Sequence, residues 1–295
     1  MSVLGTDLAL EAAQMQAKTA RLTSRPGLEV RRRERGGYAL TAMDLTDPHR
    51  AAELQRPVGK YITMELGPYL HRQRDFFARG AGCIARELTA LLPEGAGPTL
   101  VVGLGNRSLT ADAVGPLALP HILVTRHMLQ AMPEEFAGFS SVAALTTGVL
   151  AETGLESFEL IAAVAEKLQP RCVIVLDALA AAGREKLCAV LQLTDTGLTP
   201  GSGVGNARMA LDEEHLGLPV LAVGVPTVVE AGTLCLDLLE EAGLDREGLE
   251  PSRQFGQGSA WFVTPRNIDS EVEVLSKILG LGISAALHVD ISVED

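Results

Sequence analysis

Two short stretches of the chain are apolar at almost every position, and the segments around them fall into helical or alternating patterns. Thr99-Leu-Val-Val-Gly103 and Cys172-Val-Ile-Val-Leu176 are rich in β-branched residues and carry no charge. Such runs predict strands buried on both faces, as in a parallel sheet covered by helices. Residues 38–44 and 58–66 instead alternate apolar and polar positions, the pattern of a half-buried antiparallel pair. Apolar positions at helical spacing predict a short amphipathic helix over 7–18, a helix over 76–92 ended by Pro93-Glu-Gly-Ala-Gly-Pro98, and a terminal helix over 271–288. A helical segment is expected from about residue 112 to 131, and a strand over 141–145. Thr153-Gly-Leu-Glu156 has the spacing of a capping box, so the next helix is expected to start there and to stop at Pro170. Residues 220–225 read as a further strand, leading through Pro226 into a helix to about residue 241.

Strands alternating with helices in this way imply right-handed crossovers. The predicted class is α/β: a doubly wound, mostly parallel sheet with helices on both faces, plus a small antiparallel strand pair from the N-terminal region. In such sheets ligands bind outside the carboxyl ends of the strands. Asp112 lies in the loop after the first apolar run and Asp177 at the end of the second, so both carboxylates are expected at that edge.

Composition narrows this picture only a little. At 295 residues and 47% hydrophobic, the chain can bury a large core, and 4% aromatic content argues against an all-β sandwich. The net charge of −12 disfavours direct nucleic-acid binding and favours basic partners. The run Arg31-Arg-Arg-Glu-Arg35 has no interleaved aromatic and reads as a solvated loop or the start of a strand. Cys83, Cys172, Cys188 and Cys235 are scattered among apolar residues without a Cys-x-x-Cys pair, which suits structural thiols in a reducing compartment. No signal peptide is apparent, and the apolar stretch 219–239 is interrupted by Pro226, Glu230 and Asp237, short of the roughly 20 residues a membrane span needs. A soluble, cytoplasmic protein is expected.

Candidate chemistry rests on few groups. Gly103-Leu-Gly105-Asn106-Arg-Ser108 follows a strand, but it lacks the third glycine of a dinucleotide fingerprint, and the carboxylate of Asp112 would repel a pyrophosphate. Gly201-Ser-Gly203-Val-Gly205-Asn206 could present backbone amides to an anion, or be a plain loop. The six histidines form no His-Glu-x-x-His, and Ser202 has no recognisable triad. Two carboxylates sharing a site split their proton affinities, one keeping a proton and one ionised, which equips them for acid–base hydrolysis of a peptide. On the residues alone, helix or turn caps are an equally good account of Asp112 and Asp177.

A longer set of blocks carries a resemblance. Thr6-Asp-Leu-Ala-Leu-Glu-Ala12, Val101-Val-Gly-Leu-Gly-Asn106, Leu109-Thr-Ala-Asp112-Ala-Val-Gly-Pro116, Leu123-Val-Thr-Arg-His127, Asp177-Ala-Leu-Ala-Ala181, Pro200-Gly-Ser-Gly-Val-Gly-Asn206 and Val223-Gly-Val-Pro-Thr-Val-Val229 run in order along the chain. Together they resemble the germination protease of spore-forming bacteria. The resemblance implies a fold like that of the hydrogenase-maturation endopeptidases, and an aspartic-type peptidase with Asp112 and Asp177 catalytic, without cofactor or metal. It implies a substrate among the small acid-soluble spore proteins, a homotetramer, no membrane association and a place in the spore core. A self-processing zymogen is also implied. The family cuts after an acidic residue, before a hydrophobic residue followed by alanine, so cleavage is expected between Asp7 and Leu8. Residues 1–7 would then be a propeptide and 8–295 one peptidase domain, with 8–73 an N-terminal extension and 74–295 the α/β core. Asn106, Gly203, Gly205 and Asn206 are candidate substrate or oxyanion loops. The chain departs from the family at Arg107, Ala111 and Ala182, where Trp, Pro and Arg are usual, and in a shorter 239–261 region. Two alternatives stand beside this reading: a metal-assisted maturation-type endopeptidase, and a non-catalytic nucleotide- or peptide-binding protein.

Overall fold

The structure, a computed structural model, describes residues 6–17, 21–67, 75–205, 207–244 and 261–288. The two apolar runs are neighbouring strands. β4 (Thr99–Leu104) and β6 (Cys172–Ala181) pair in parallel from Thr99↔Cys172 to Gly103↔Leu176. Including β1 (Leu28–Arg35), β2 (Tyr38–Leu45), β3 (Gly59–Glu65), β5 (Val142–Gly148), β7 (Val190–Thr194) and β8 (Val220–Glu230), the sheet order is β1-β2-β3-β7-β8-β6-β4-β5. A two-residue β9 (Phe262–Val263) pairs with β8. β5, β4, β6 and β8 form the parallel central sheet of an α/β fold.

Because side chains alternate across a strand, each apolar run serves two cores. Val101, Ile174, Leu176 and Val223 face the helices Phe76–Thr89 and Ile268–Leu287. Leu100, Val102, Val173 and Val175 face the helix Ser157–Leu168 through Ile161. Helices on both faces explain why these strands contain no polar alternation.

The antiparallel part is larger than a strand pair. β2 and β3 pair as expected, but β1 joins β2, and β3 joins β7, so the N-terminal strands extend the same sheet. The arginine run is strand β1. Arg33 and Arg35 both ion-pair with Glu87, which is buried on the helix Phe76–Thr89, and Arg31 pairs with Glu29. The charges of this run are therefore largely spent within the fold.

Several predicted boundaries shift for local reasons. The expected helix over 112–131 breaks into short turns, Val114–Ala118, Leu119–His121 and Arg126–Ala131, because Pro116 and Pro120 lack the amide a longer helix needs. The capping box is one turn later: Glu156 caps the helix with Glu159 reciprocating, while Thr153 ends a separate turn, Leu150–Thr153. β6 runs four residues past Asp177, so that residue lies inside the strand and not at its end. β8 likewise continues through Pro226 to Glu230, with a register shift opposite Leu179 and Ala180 that absorbs the proline. The terminal helix begins at Ile268 and the first helix at Ala9 (Ala9–Ala17). Cys83, Cys172 and Cys188 are buried free thiols, whereas Cys235 is exposed.

Candidate active site

Asp177 is held by strand register. It pairs with Gly224 on β8, one step beyond the last residue of β6 that pairs with β4, and only 8% of its surface is exposed. The amide of the next residue, Ala178, donates to its Oδ1 at 2.9 Å. Burial pushes the Asp177 carboxyl well above the usual carboxylate range; the negative charges of Asp112 and Asp7 push it further in the same direction.

Asp112 is delivered by a tight turn. After β4 the chain reverses at Gly105, whose φ is +106° and where a Cβ would stand 2.0 Å from the Asp112 carbonyl oxygen. Only glycine fits there. The Asn106 amide donates to Asp112 Oδ2 at 2.7 Å, and Thr227 Oγ1 on β8 ties the preceding Ala111 carbonyl at 2.5 Å. Burial raises the Asp112 carboxyl as well, offset in part by the Asn106 hydrogen bond. A cleft of about 650 Å³ is lined by Asp112, Asp177 and Asp7, among others. The ion pair of Arg208 with Glu156, 3.3 Å, lies on its wall.

The remaining predicted residues divide. Asn106 serves Asp112 with its amide, and its own side chain accepts from Ser108 N at 2.7 Å, an Asx-type turn. Gly203 lies against Asp7, and Gly205 donates its amide to the Ser202 carbonyl at 3.3 Å. Asn206 lies outside the described residues. Among the described residues no three His, Cys, Asp or Glu side chains converge as a metal-binding group.

Asp7 and Leu8 are the unexpected part of the geometry, because they lie at this same edge. The Asp7 amide donates to the Ala180 carbonyl at 2.9 Å, and the Ala180 amide returns a bond to Asp7 Oδ2 at 2.8 Å. Ser202 Oγ donates to Asp7 Oδ1 at 2.6 Å. Leu8 is buried with Leu179, Ala181 and Val190, and Ala9 is fully buried. Glu11 accepts from the amides of Ala182 and Gly183 at 2.8 and 2.7 Å and from the Thr6 hydroxyl; burial raises its carboxyl above the ordinary 4.5. A second, smaller cavity of about 180 Å³ is again lined by Asp7 and Asp177. Asp7 and Asp177 thus line both cavities.

Gln192, unmarked in the sequence, touches the backbone on both sides of Leu8. It sits in β7, a strand that short apolar patterning did not reveal. A buried glutamine in an apolar strand, Val190-Leu-Gln-Leu-Thr194, is the one signal that could have marked it.

The sequence matches the Germination protease family over residues 5–244. Among curated relatives, it is similar to the germination protease of Clostridium tetani, 33% identical with 98% of this chain and 97% of the relative covered. It is 35% identical to that of Caldanaerobacter subterraneus subsp. tengcongensis, covering 97% and 95%, and 33% identical to that of Bacillus cereus, covering 98% and 95%. Among solved structures, it has a likeness to a nickel–iron hydrogenase maturation protease of Thermococcus kodakarensis, with 19% identity, a TM-score of 0.33, and coverage of 65% of this chain and 98% of that one.

Proposed function

The chain belongs to the germination protease family, and from that premise we propose that it is an aspartic-type endopeptidase made as a zymogen, with Asp112 and Asp177 as its acid–base pair and the Asp7–Leu8 bond as its own first substrate. The observation that carries this reading is the position of Asp7 beside Asp177 in a shared cleft. A segment with an acidic residue, a buried leucine and a buried alanine in succession fits the cleavage rule expected for the family, and it is seated at the candidate acids.

The roles follow from environment. Asp177, buried and flanked by two other carboxylates, is the member that holds its proton more tightly. Asp112, less buried and accepting an amide hydrogen bond, is the member that ionises. The Asp112 carboxylate takes a proton from water as the water oxygen attacks the Asp7 carbonyl carbon. Asp177 gives its proton to the Leu8 nitrogen as the C–N bond breaks, leaving a carboxyl group on Asp7 and an amine on Leu8. Transfer of the proton from Asp112 back to Asp177 through solvent restores the pair.

Beyond its own segment, the enzyme's substrates are the small acid-soluble spore proteins, cleaved by the same pair during germination in the spore core, with the enzyme assembled as a homotetramer. Asp112→Asn and Asp177→Asn test the mechanism: each is expected to abolish both removal of residues 1–7, followed by intact-mass spectrometry, and cleavage of a spore protein. Activity retained in either variant removes that residue from the chemistry.

A further inference from the structure

Gln192 lies level with Asp177 across the sheet. Asp177 on β6 and Gln192 on β7 both pair with Gly224 of β8, so they flank one residue from two sides. Their Cα atoms are two strand spacings apart, roughly 9–10 Å. Both line the smaller cavity beside Asp7. Gly224 puts no side chain between them, and that of Leu179 lies over it.

The Gln192 side chain spans the Asp7–Leu8 bond. Its Nε2 donates to the Asp7 carbonyl oxygen at 3.3 Å, and its Oε1 accepts from the Ala9 amide at 2.7 Å. The orientation of an amide side chain is fixed by its partners. Here Ala9 N–H can only donate and the Asp7 carbonyl can only accept, so one orientation satisfies both. Gln192 is 7% exposed, and a buried side-chain amide needs partners for both ends. In this fold those partners are the two backbone groups that bracket the bond.

We infer that Gln192 is a further catalytic residue: its amide N–H polarises the carbonyl of the scissile bond and stabilises the oxyanion formed on attack, while its carbonyl oxygen fixes the register of the chain on the leaving side. This role rests on the reading of Asp7–Leu8 as the cleaved bond. The bond to the ground-state carbonyl is long, and a donor best placed for the tetrahedral oxygen is 2.7–3.1 Å away. The interaction therefore strengthens as negative charge develops, which accelerates the step instead of only tightening binding. Gln192 takes no proton at any stage. Water supplies the attacking oxygen and one proton, and Asp177 supplies the proton to the leaving amine, as before. The division of labour is simple: a base for water, an acid for nitrogen, and a neutral amide for oxygen.

The test measures the first-order rate of Asp7–Leu8 cleavage in the full chain by intact-mass spectrometry, for wild type, Gln192→Glu and Gln192→Leu. Glutamate is isosteric and keeps the acceptor for Ala9 N, but when ionised it faces the Asp7 carbonyl with oxygen. Leucine suits a buried strand and removes both contacts. Both variants are expected to cleave roughly 10²-fold or more slowly at neutral pH, the loss typical of one oxyanion donor. Gln192→Glu is expected to recover as pH falls, because the protonated carboxyl can donate again; Gln192→Leu is not. A wild-type chain that is never cut between Asp7 and Leu8 overturns the underlying reading. A wild-type chain cut there, with both variants cut at its rate, or with Gln192→Glu slowed and not recovering in acid, overturns the role of Gln192.

Discussion

A single methyl group at Gly203 should unseat the N-terminal segment. A Cβ there would stand 2.3 Å from Asp7 Oδ2, 2.6 Å from Asp7 Cγ and 2.8 Å from Ala180 Cβ, all closer than real Cβ contacts. Ala180 belongs to β6 and is held by its ladder to β8, so the side chain of Asp7 must give way. Moving that carboxylate by about 1 Å carries it beyond hydrogen-bond range of both its donors, Ala180 N at 2.8 Å and Ser202 Oγ at 2.6 Å. A hydrogen bond to a charged group contributes about 1.5–3 kcal/mol. Ser202 is exposed, which places its share at the low end, so the two together amount to about 3 kcal/mol. That is roughly a 10²-fold fall in the docked population. The φ of Gly203 lies outside the left-handed region, so alanine adds no backbone strain, and the effect should be confined to the contact. Gly203→Ala is thus expected to slow Asp7–Leu8 cleavage by about two orders of magnitude and to speed hydrogen exchange at the amides of Leu8 through Ala13, with the core unmoved. Wild-type cleavage together with wild-type protection of those amides would refute the steric account.

The other predictions concern charge. Titration of 13C-labelled aspartate carboxyls should show Asp177 ionising at lower pH in Asp112→Asn and in Asp7→Asn than in the unprocessed chain, with the larger drop in Asp112→Asn, since Asp112 is the stronger of the two neighbouring charges; an unmoved Asp177 in both variants would show that the three carboxylates are not coupled. Glu11 has a folded-state carboxyl raised above its ordinary 4.5, so its contribution to docking is complete below that value and is lost as pH rises through the folded value. Protection of the Ala12 and Ala13 amides should accordingly strengthen on acidification in wild type, and flat protection across that range would contradict the sign. Glu11→Ala strands the buried amides of Ala182 and Gly183, at about 1–3 kcal/mol each, and should open the segment at every pH, as read by the same exchange.

How much of this was legible in the sequence depends on how far each signal had to reach. β4 and β6 were readable because burial on both faces leaves an unbroken apolar run, and that pattern is local. Asp112 was readable as an edge residue for the same reason, being defined by the strand before it, whereas the apolar run ends at Asp177 but β6 continues four residues further. The turns after Asp112 were misread as one long helix because apolar spacing outweighed Pro116 and Pro120, which in fact set the breaks. β7 was missed because five residues in a chain rich in apolar positions do not announce a period. Its register comes from β3 and β8, not from its own pattern.

Polar residues were legible only where their partners were close by in sequence. Glu156 and Glu159 form a cap within one turn, and the motif needed only a shift of start. Among the arginines of β1, Arg31 has Glu29 two residues away, but Arg33 meets Glu87, 54 residues on, and without that partner the run reads as solvated charge. Gln192 is the extreme case. Its two contacts lie with Ala9 and Asp7, 183 and 185 residues away, and nothing in Val190–Thr194 distinguishes it from a glutamine that happens to be buried. The same holds for the segment it grips. On its own, Thr6 to Glu11 is a threonine and an acid before a short helix, which capping explains in full. Once folded, the Thr6 hydroxyl accepts locally from the Leu8 amide, but neither acid is spent on a cap: Asp7 is bound by β6 and by the glycine loop, and Glu11 by the two amides that follow β6. A helix start held by partners about 170 to 195 residues away, when local capping would suffice, is a segment placed at the site by the rest of the fold, and its chemistry has to be sought in what surrounds it.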